Sequence, residues 1–219
     1  MCGRFAIASP RFDKIEGALG TGFPEVRVSY NIAPGSDIPT ISLKDGRPAL
    51  SYMRWGLVPS WSKEPRSKFS TFNARVETAC SKPAFSDAFK RRRCIIPVSG
   101  FYEWQQREDF KQPWYFTGRG GSELALAGLW EAWEGAEGTL KSCTILVGEA
   151  NRLMSPVHAR MPVILPEDYY AAWLDIEDPG DVESAIGIPF PEAKMECWPV
   201  SRAVGNVRND NPELVERLA

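Results

Sequence analysis

The chain has 219 residues, 43% hydrophobic and 25% charged, with a formal net charge of −2 at pH 7. That composition suits one soluble globular domain spanning 1–219 and excludes a globally basic nucleic-acid binder. It also excludes a helical membrane protein, because no apolar run approaches the roughly 18–20 residues a bilayer demands.

In chain order, Ser9-Pro10 ahead of Phe12, Ile15 and Leu19 predicts an N-capped amphipathic helix closing at Gly20. Ile38–Leu43 and Ala49–Trp55 flank Asp45-Gly46 and predict a β-hairpin. Val58–Phe72 lacks periodicity and reads as a loop, and Phe85–Arg92 as a short helix with a basic end. Strand-like runs follow at Cys94–Trp104, Trp114–Thr117, Leu124–Trp133, Thr139–Gly148 and Met161–Leu165. Pro166–Leu174 is helix-like, Lys194–Val200 is a last strand, and Pro212–Leu218 a closing helix. Short turns rather than crossover helices join the central strands. The expected fold is therefore α+β, a largely antiparallel, barrel-like sheet with peripheral helices.

The five cysteines (Cys2, Cys80, Cys94, Cys143, Cys197) form no Cys-x-x-Cys pair and the chain has one histidine, so neither a metal site nor a cofactor is expected. An odd cysteine count, with no basic and apolar leader at the N-terminus, points to reduced thiols in the cytoplasm. Cys2 stands apart because it follows the initiator methionine. If Met1 is removed, Cys2 carries a free α-amine and a thiol on adjacent carbons, a 1,2-aminothiol able to close a thiazolidine ring on an aldehyde. An α-amine has a pKa of about 7.7–8.0 against about 10.4 for lysine, so near neutrality it is free base about a hundredfold more often. The other four cysteines read as packing residues. Arg91-Arg92-Arg93, the most basic run, reads as a solvated helix end.

Eight blocks then appear in order. They are Met1-Cys2-Gly3-Arg4-Phe5, Tyr30-Asn31-Ile32-Ala33-Pro34-Gly35, Arg54-Trp55-Gly56-Leu57-Val58-Pro59-Ser60-Trp61, and Asn73-Ala74-Arg75-Val76-Glu77-Thr78. Gly100-Phe101-Tyr102-Glu103-Trp104, Lys111-Gln112-Pro113, His158-Ala159-Arg160-Met161-Pro162 and Pro199-Val200-Ser201-Arg202-Ala203-Val204-Gly205-Asn206 complete them. Together they resemble the SRAP family, the SOS-response-associated peptidase-like proteins that crosslink to abasic sites in single-stranded DNA. The resemblance implies a compact β fold with a basic groove and a Cys2 that bonds to the ring-opened deoxyribose aldehyde.

It also implies roles. Glu103 would shuttle protons, although strand alternation alone leaves it equally an outward-facing glutamate. His158 would help open the sugar, where a lone loop histidine is otherwise surface decoration. Asn73 would hold the amine or a sugar hydroxyl, or else merely form a turn. Arg4, Arg75 and Arg160 would pair with phosphates, and Trp61 would stack on bases or simply pack in its loop. Pro34 would form pocket wall. Family members often carry one more arginine after the Asn73 block, where Ser81-Lys82-Pro83 stands here. The implied partner is single-stranded DNA containing abasic sites, met by a monomer. The chain's extent is like that of bacterial members. Two other readings stay open: a Cys2-dependent thiol peptidase, with removal of Met1 as its smallest form, and a non-covalent single-strand binder.

Overall fold

The computed structural model describes residues 2–65, 70–177 and 182–218, apart from the side chains of 183–185. The strands run as β1 (Phe5–Ile7), β2 (Ser29–Ile32), β3 (Asp37–Lys44), β4 (Arg47–Trp55), β5 (Asn73–Arg75) and β6 (Arg93–Val98). They continue as β7 (Gly100–Gln106), β8 (Lys111–Gly118), β9 (Leu124–Gly135), β10 (Gly138–Glu149), β11 (Arg160–Pro162) and β12 (Met195–Pro199). The helices are short: α1 (Asp13–Leu19), α2 (Val76–Ala79), α3 (Ser86–Arg91), α4 (Tyr170–Leu174) and α5 (Val182–Gly187).

β3, β4, β10, β9 and β6 close into a ring, with β10 antiparallel to β9 and parallel to β4 at Ser142 and Cys143. The parallel pair follows from counting. Directions cannot alternate all the way round an odd-numbered ring, so one neighbouring pair must point the same way. The predicted antiparallel barrel is thus right in class and incomplete in pairing. Toward its end β10 exchanges both neighbours, leaving β4 after Cys143 and β9 after Ile145. β5 runs parallel to it from Ile145 to Val147, and β11 antiparallel from Val147 to Glu149. That end of β10 is therefore flanked by the two short strands that carry Asn73, Arg75 and Arg160.

The second sheet is antiparallel throughout, in the order β12-β8-β7-β1-β2. The chain enters it from the ring at Ser99, which divides the predicted run Cys94–Trp104 into β6 and β7. Ser99 N donates to Ala6 O at 2.9 Å, Ser99 Oγ accepts from Ala8 N at 2.8 Å, and Ser99 O accepts from Thr117 Oγ1 at 2.6 Å. Gly100 follows because Tyr115 lies against it: an added Cβ would come within 2.4 Å of the Tyr115 ring. The crossing joins the second sheet to the ring and seats β1, and with it the N-terminus, beside β7.

The Asp45-Gly46 hairpin forms as predicted, with both turn residues at positive φ (52° and 72°). α1 ends at Gly20 with φ 63° as expected, but starts at Asp13 without a side-chain cap. Ser9 Oγ instead accepts from Arg11 N at 3.3 Å, a local turn that competes with helix entry. In the predicted loop Val58–Phe72, residues 66–69 lie outside the described residues.

Two readings need correction. Only Arg91 of the basic run is a solvated helix end. Arg92 pairs with Asp87 and with the buried Glu131, and Arg93 lies 5.5 and 5.1 Å from the Phe89 and Trp173 rings. Cys80 is exposed rather than packed, because it follows the last turn of α2 and faces outward.

Candidate active site

Cys2 lies three residues ahead of the start of β1 and is fully buried. β1 pairs with β7 at Phe5–Phe101, and Tyr102 N donates to Arg4 O at 2.9 Å, which carries the antiparallel register on toward Glu103. Glu103 is only 3% exposed. Burial first, and the Glu103 carboxylate second, push the Cys2 thiol far above its ordinary range.

Asn73 opens β5 and reaches across to donate from Nδ2 to Cys2 O at 2.7 Å. Its Oδ1 is buried without a hydrogen-bond partner, an open acceptor on the same carboxamide that holds Cys2. Phe5 and Phe72, the neighbours in sequence of these segments, both pack on Trp55, with ring centroids 4.9 and 6.0 Å away. Trp55 Nε1 donates to Phe72 O at 2.8 Å, so one indole fixes the N-terminal strand against β5.

His158 ends the loop that leads into β11. Its Nδ1 is 3.0 Å from both Arg160 N and Arg160 O. A neutral ring with Nδ1 bare accepts from the amide, and an imidazolium donates to the carbonyl, so each protonation state has a backbone partner. The loop is anchored at both ends. Asn151 Oδ1 accepts from Met154 N at 2.9 Å and Asn151 Nδ2 donates to Phe190 O at 2.8 Å. Gln105, two residues beyond Glu103 on β7, donates to Pro156 O at 2.9 Å. β7 therefore carries the buried carboxylate and also ties down the histidine loop.

The predicted arginines differ in their engagement. Arg75 is exposed at the end of β5. Arg160 forms an ion pair with Glu77. Burial acts to raise the Glu77 carboxyl, but its backbone hydrogen bond and the Arg160 and Arg75 guanidiniums outweigh it and hold it below its ordinary pKa. Arg4 is partly buried, and its Nη1 donates to Asn31 Oδ1 at 2.6 Å and to Val204 O at 2.7 Å. Pro34 is exposed and lines a shallow cavity of about 220 Å³ with Gly35, Arg54, Trp55 and Phe72. Trp61 is 67% exposed and lies outside that cavity's lining.

Cys2, Arg4, Asn73 and Glu103 thus form one group through the pairing of β1 with β7 and the Asn73–Cys2 bond, while Arg160 and Arg75 flank Glu77 and His158 is bonded to the Arg160 backbone. The Asn73–Arg75 strand and Gln105 join the two groups. Sequence reasoning assigned nothing to Asn31, Glu77 or Gln105. The first two stand inside two of the eight blocks, a signal the sequence does carry; Gln105 follows its block by one residue and carries no local mark.

A buried cysteine at position 2, bonded through its carbonyl to an asparagine of a neighbouring strand and set beside an odd-stranded barrel, is what the fold and site define. The chain belongs to the SRAP family: the family model described as SOS response associated peptidase (SRAP) matches residues 1–207. It is 38% identical to the abasic site processing protein YoqW of Bacillus subtilis, over 99% of each chain. It is 32% identical to the abasic site processing protein YedK of Escherichia coli, again over 99% of each. With the abasic site processing protein HMCES of Xenopus tropicalis it shares 34% identity over 87% of this chain and 66% of that one. A crystal structure of a Bacteroides thetaiotaomicron protein matches with a TM-score of 0.85 over the whole of both chains at 23% identity, a likeness of fold. A phage-related protein from Bordetella bronchiseptica matches with a TM-score of 0.75 at 30% identity, over 92% of this chain and 95% of that one.

Proposed function

We propose that this protein processes abasic sites by capturing them covalently in single-stranded DNA through Cys2, once Met1 has been removed. The observation that carries the reading is the hold on Cys2: Asn73 Nδ2 donates to its carbonyl at 2.7 Å, and the strand that Cys2 leads into pairs with β7, which carries the buried Glu103. The names of the relatives supply the substrate class.

The chemistry balances without an outside reagent. The Cys2 amine adds to the C1′ aldehyde and loses water to give an imine. The thiol then adds across the C=N bond, so a C–S bond forms and the thiol proton passes to nitrogen. The net change is loss of one water. A thiol whose pKa lies far above neutral stays protonated, so the amine attacks first and Glu103 relays the thiol proton. His158 opens the sugar hemiacetal, Asn73 orients the N-terminal residue, and Arg75 and Arg160 hold flanking phosphates. Trp61 stacks on a base, and Pro34 borders the path of the strand. An imine not yet closed by sulfur also permits β-elimination: a C2′ proton leaves and the 3′ phosphate departs, which is lyase chemistry.

The peptidase reading fares less well for general substrates. Cysteine nucleophiles work as thiolates, favoured by a cationic neighbour. Burial and Glu103 act in the opposite direction on Cys2. The protein acts as a monomer in this scheme.

The test is incubation of protein confirmed to begin at Cys2 with an oligonucleotide carrying one abasic site, followed by a denaturing gel. A heat-stable shifted band is expected, lost when Met1 is retained and reduced to a labile imine in Cys2→Ser. Absence of the band with correctly processed protein sinks the proposal.

A further inference from the structure

Neither Asn31 nor the block ending at Asn206 has a part in the chemistry above. The structure joins them. Asn31 is almost fully buried in β2, and every hydrogen-bonding position of its carboxamide that the fold reaches is used. Nδ2 donates to Val204 O at 3.2 Å, Asn206 O at 3.0 Å and Asn209 O at 2.7 Å, and Oδ1 accepts from Arg4 Nη1 at 2.6 Å. The same Nη1 donates to Val204 O at 2.7 Å. Asp210 extends the seam, accepting from Tyr30 N and from Ser29 Oγ.

We infer that Asn31 is a positioning residue for Cys2, acting through Arg4, and that the segment 204–209 is therefore part of the active-site framework. The chain of contacts is short. Arg4 O accepts from Tyr102 N at 2.9 Å and faces Cys2 Sγ at 3.9 Å, so the residue that Asn31 holds by its side chain also registers Cys2 against β7 by its backbone. Three carbonyl oxygens converge on the two N–H bonds of Asn31 Nδ2, one bond being shared, and no aliphatic or ionised acidic side chain at this position offers those donors. The Arg4 guanidinium lies 5.8 Å from the Trp104 ring, and burial lowers its pKa from the ordinary arginine value. One face of that cation is therefore committed inward. Arg4 aims the nucleophile, and the grip on phosphate falls mainly to Arg75 and Arg160.

The inference rests on the covalent-capture reading for its rate measurement, and one arm of the test is independent of DNA. In protein beginning at Cys2, alkylation by iodoacetamide is followed by peptide mass spectrometry, with the exposed Cys80 as internal reference. Asn31→Ala and Arg4→Met are each expected to speed Cys2 alkylation about fivefold or more relative to Cys80. The double variant should be no faster than either single, because one strut has been cut twice. With saturating abasic strand, the crosslinking rate of Asn31→Ala is expected to fall about tenfold to a hundredfold, the scale of a small misplacement of a reacting group. Affinity for an intact strand should stay within about twofold. Asn31→Asp keeps the acceptor for Arg4 and loses the donors, so it serves if the alanine variant folds poorly, and an intermediate effect is expected. Unchanged Cys2 alkylation in both single variants, or additive effects in the double, overturns the inference. Failure of wild-type protein to crosslink while the alkylation pattern holds would instead count against capture of abasic sites.

Discussion

The ring and the N-terminal site each bury a cysteine completely, and the two surroundings differ in kind. Cys143 lies on β10 with the Thr40 hydroxyl 3.9 Å from its sulfur, among interlocked aliphatic side chains. Cys2 lies ahead of β1, with Asn73 on its carbonyl and the Glu103 carboxylate acting to raise its thiol pKa. Burial raises both thiols. What separates the surroundings of these two cysteines is not exposure or acidity but the polar groups placed around them. Those groups come from four segments of distant sequence, the stretch just ahead of β1 together with β2, β5 and β7, and the crossing at Ser99 seats the first of these beside β7.

The sharpest way to break that contrast is Glu103→Gln, which keeps the shape of the site and removes its charge. Crosslinking at saturating abasic strand is expected to fall about a hundredfold or more, the usual worth of a positioned proton carrier. Intact-strand affinity should hardly move. Because the carboxylate contributes to the raised thiol pKa, Cys2 alkylation at alkaline pH should become faster in the same variant. A crosslinking rate within threefold of wild type would reduce Glu103 to a buried strand residue and leave the two cysteines distinguished only by position.

Parts of this contrast were legible in the sequence. Asp45-Gly46 announces its hairpin because the turn demands positive φ at both residues, and the long runs of β9 and β10 are too apolar to be anything but core strands. β1, β5 and β11 are three residues each, too short for any periodicity, yet they place Cys2, Asn73 and Arg160. The parallel pairs of β10 depend on ring closure, a property of the whole sheet. At the site, resemblance named Cys2, Asn73, Glu103 and His158, whereas the work of Asn31 and Gln105 appears only when carbonyl oxygens from segments far along the chain arrive beside them.

A smaller perturbation acts on the charged half of the site, where Glu77 pairs with Arg160 and neighbours Arg75. If these arginines meet phosphate, Arg160→Ala should flatten the salt dependence of intact-strand binding by about 0.7 in the log–log slope, one single-strand contact. Glu77→Gln releases Arg160 from its present partner and should tighten that binding about twofold to fivefold at low salt. Fluorescence anisotropy against salt concentration reads both. A slope unchanged by Arg160→Ala would assign Arg160 to holding the His158 loop instead, and the cationic track would contract to Arg75.

The mildest test returns to the thiol in the ring. Burial lifts Cys143 from an ordinary value of 9.0 to about 12. The native state then keeps a proton that the unfolded chain has already lost, so unfolding releases a proton and stability falls as pH rises through that window. The buried Cys94 thiol and the Tyr102 and Tyr115 phenols shift in the same direction and add to the slope. Cys143→Ala lowers stability at every pH through lost packing, but it removes one titrating group. Urea midpoints measured from pH 8 upward should therefore decline less steeply in the variant than in wild type. Identical slopes would mean that the ring admits enough water or motion to solvate a thiolate. The ring and the N-terminal site would then differ less in dryness than their packing implies, and the polar groups around Cys2 would have to account for its reactivity by geometry alone.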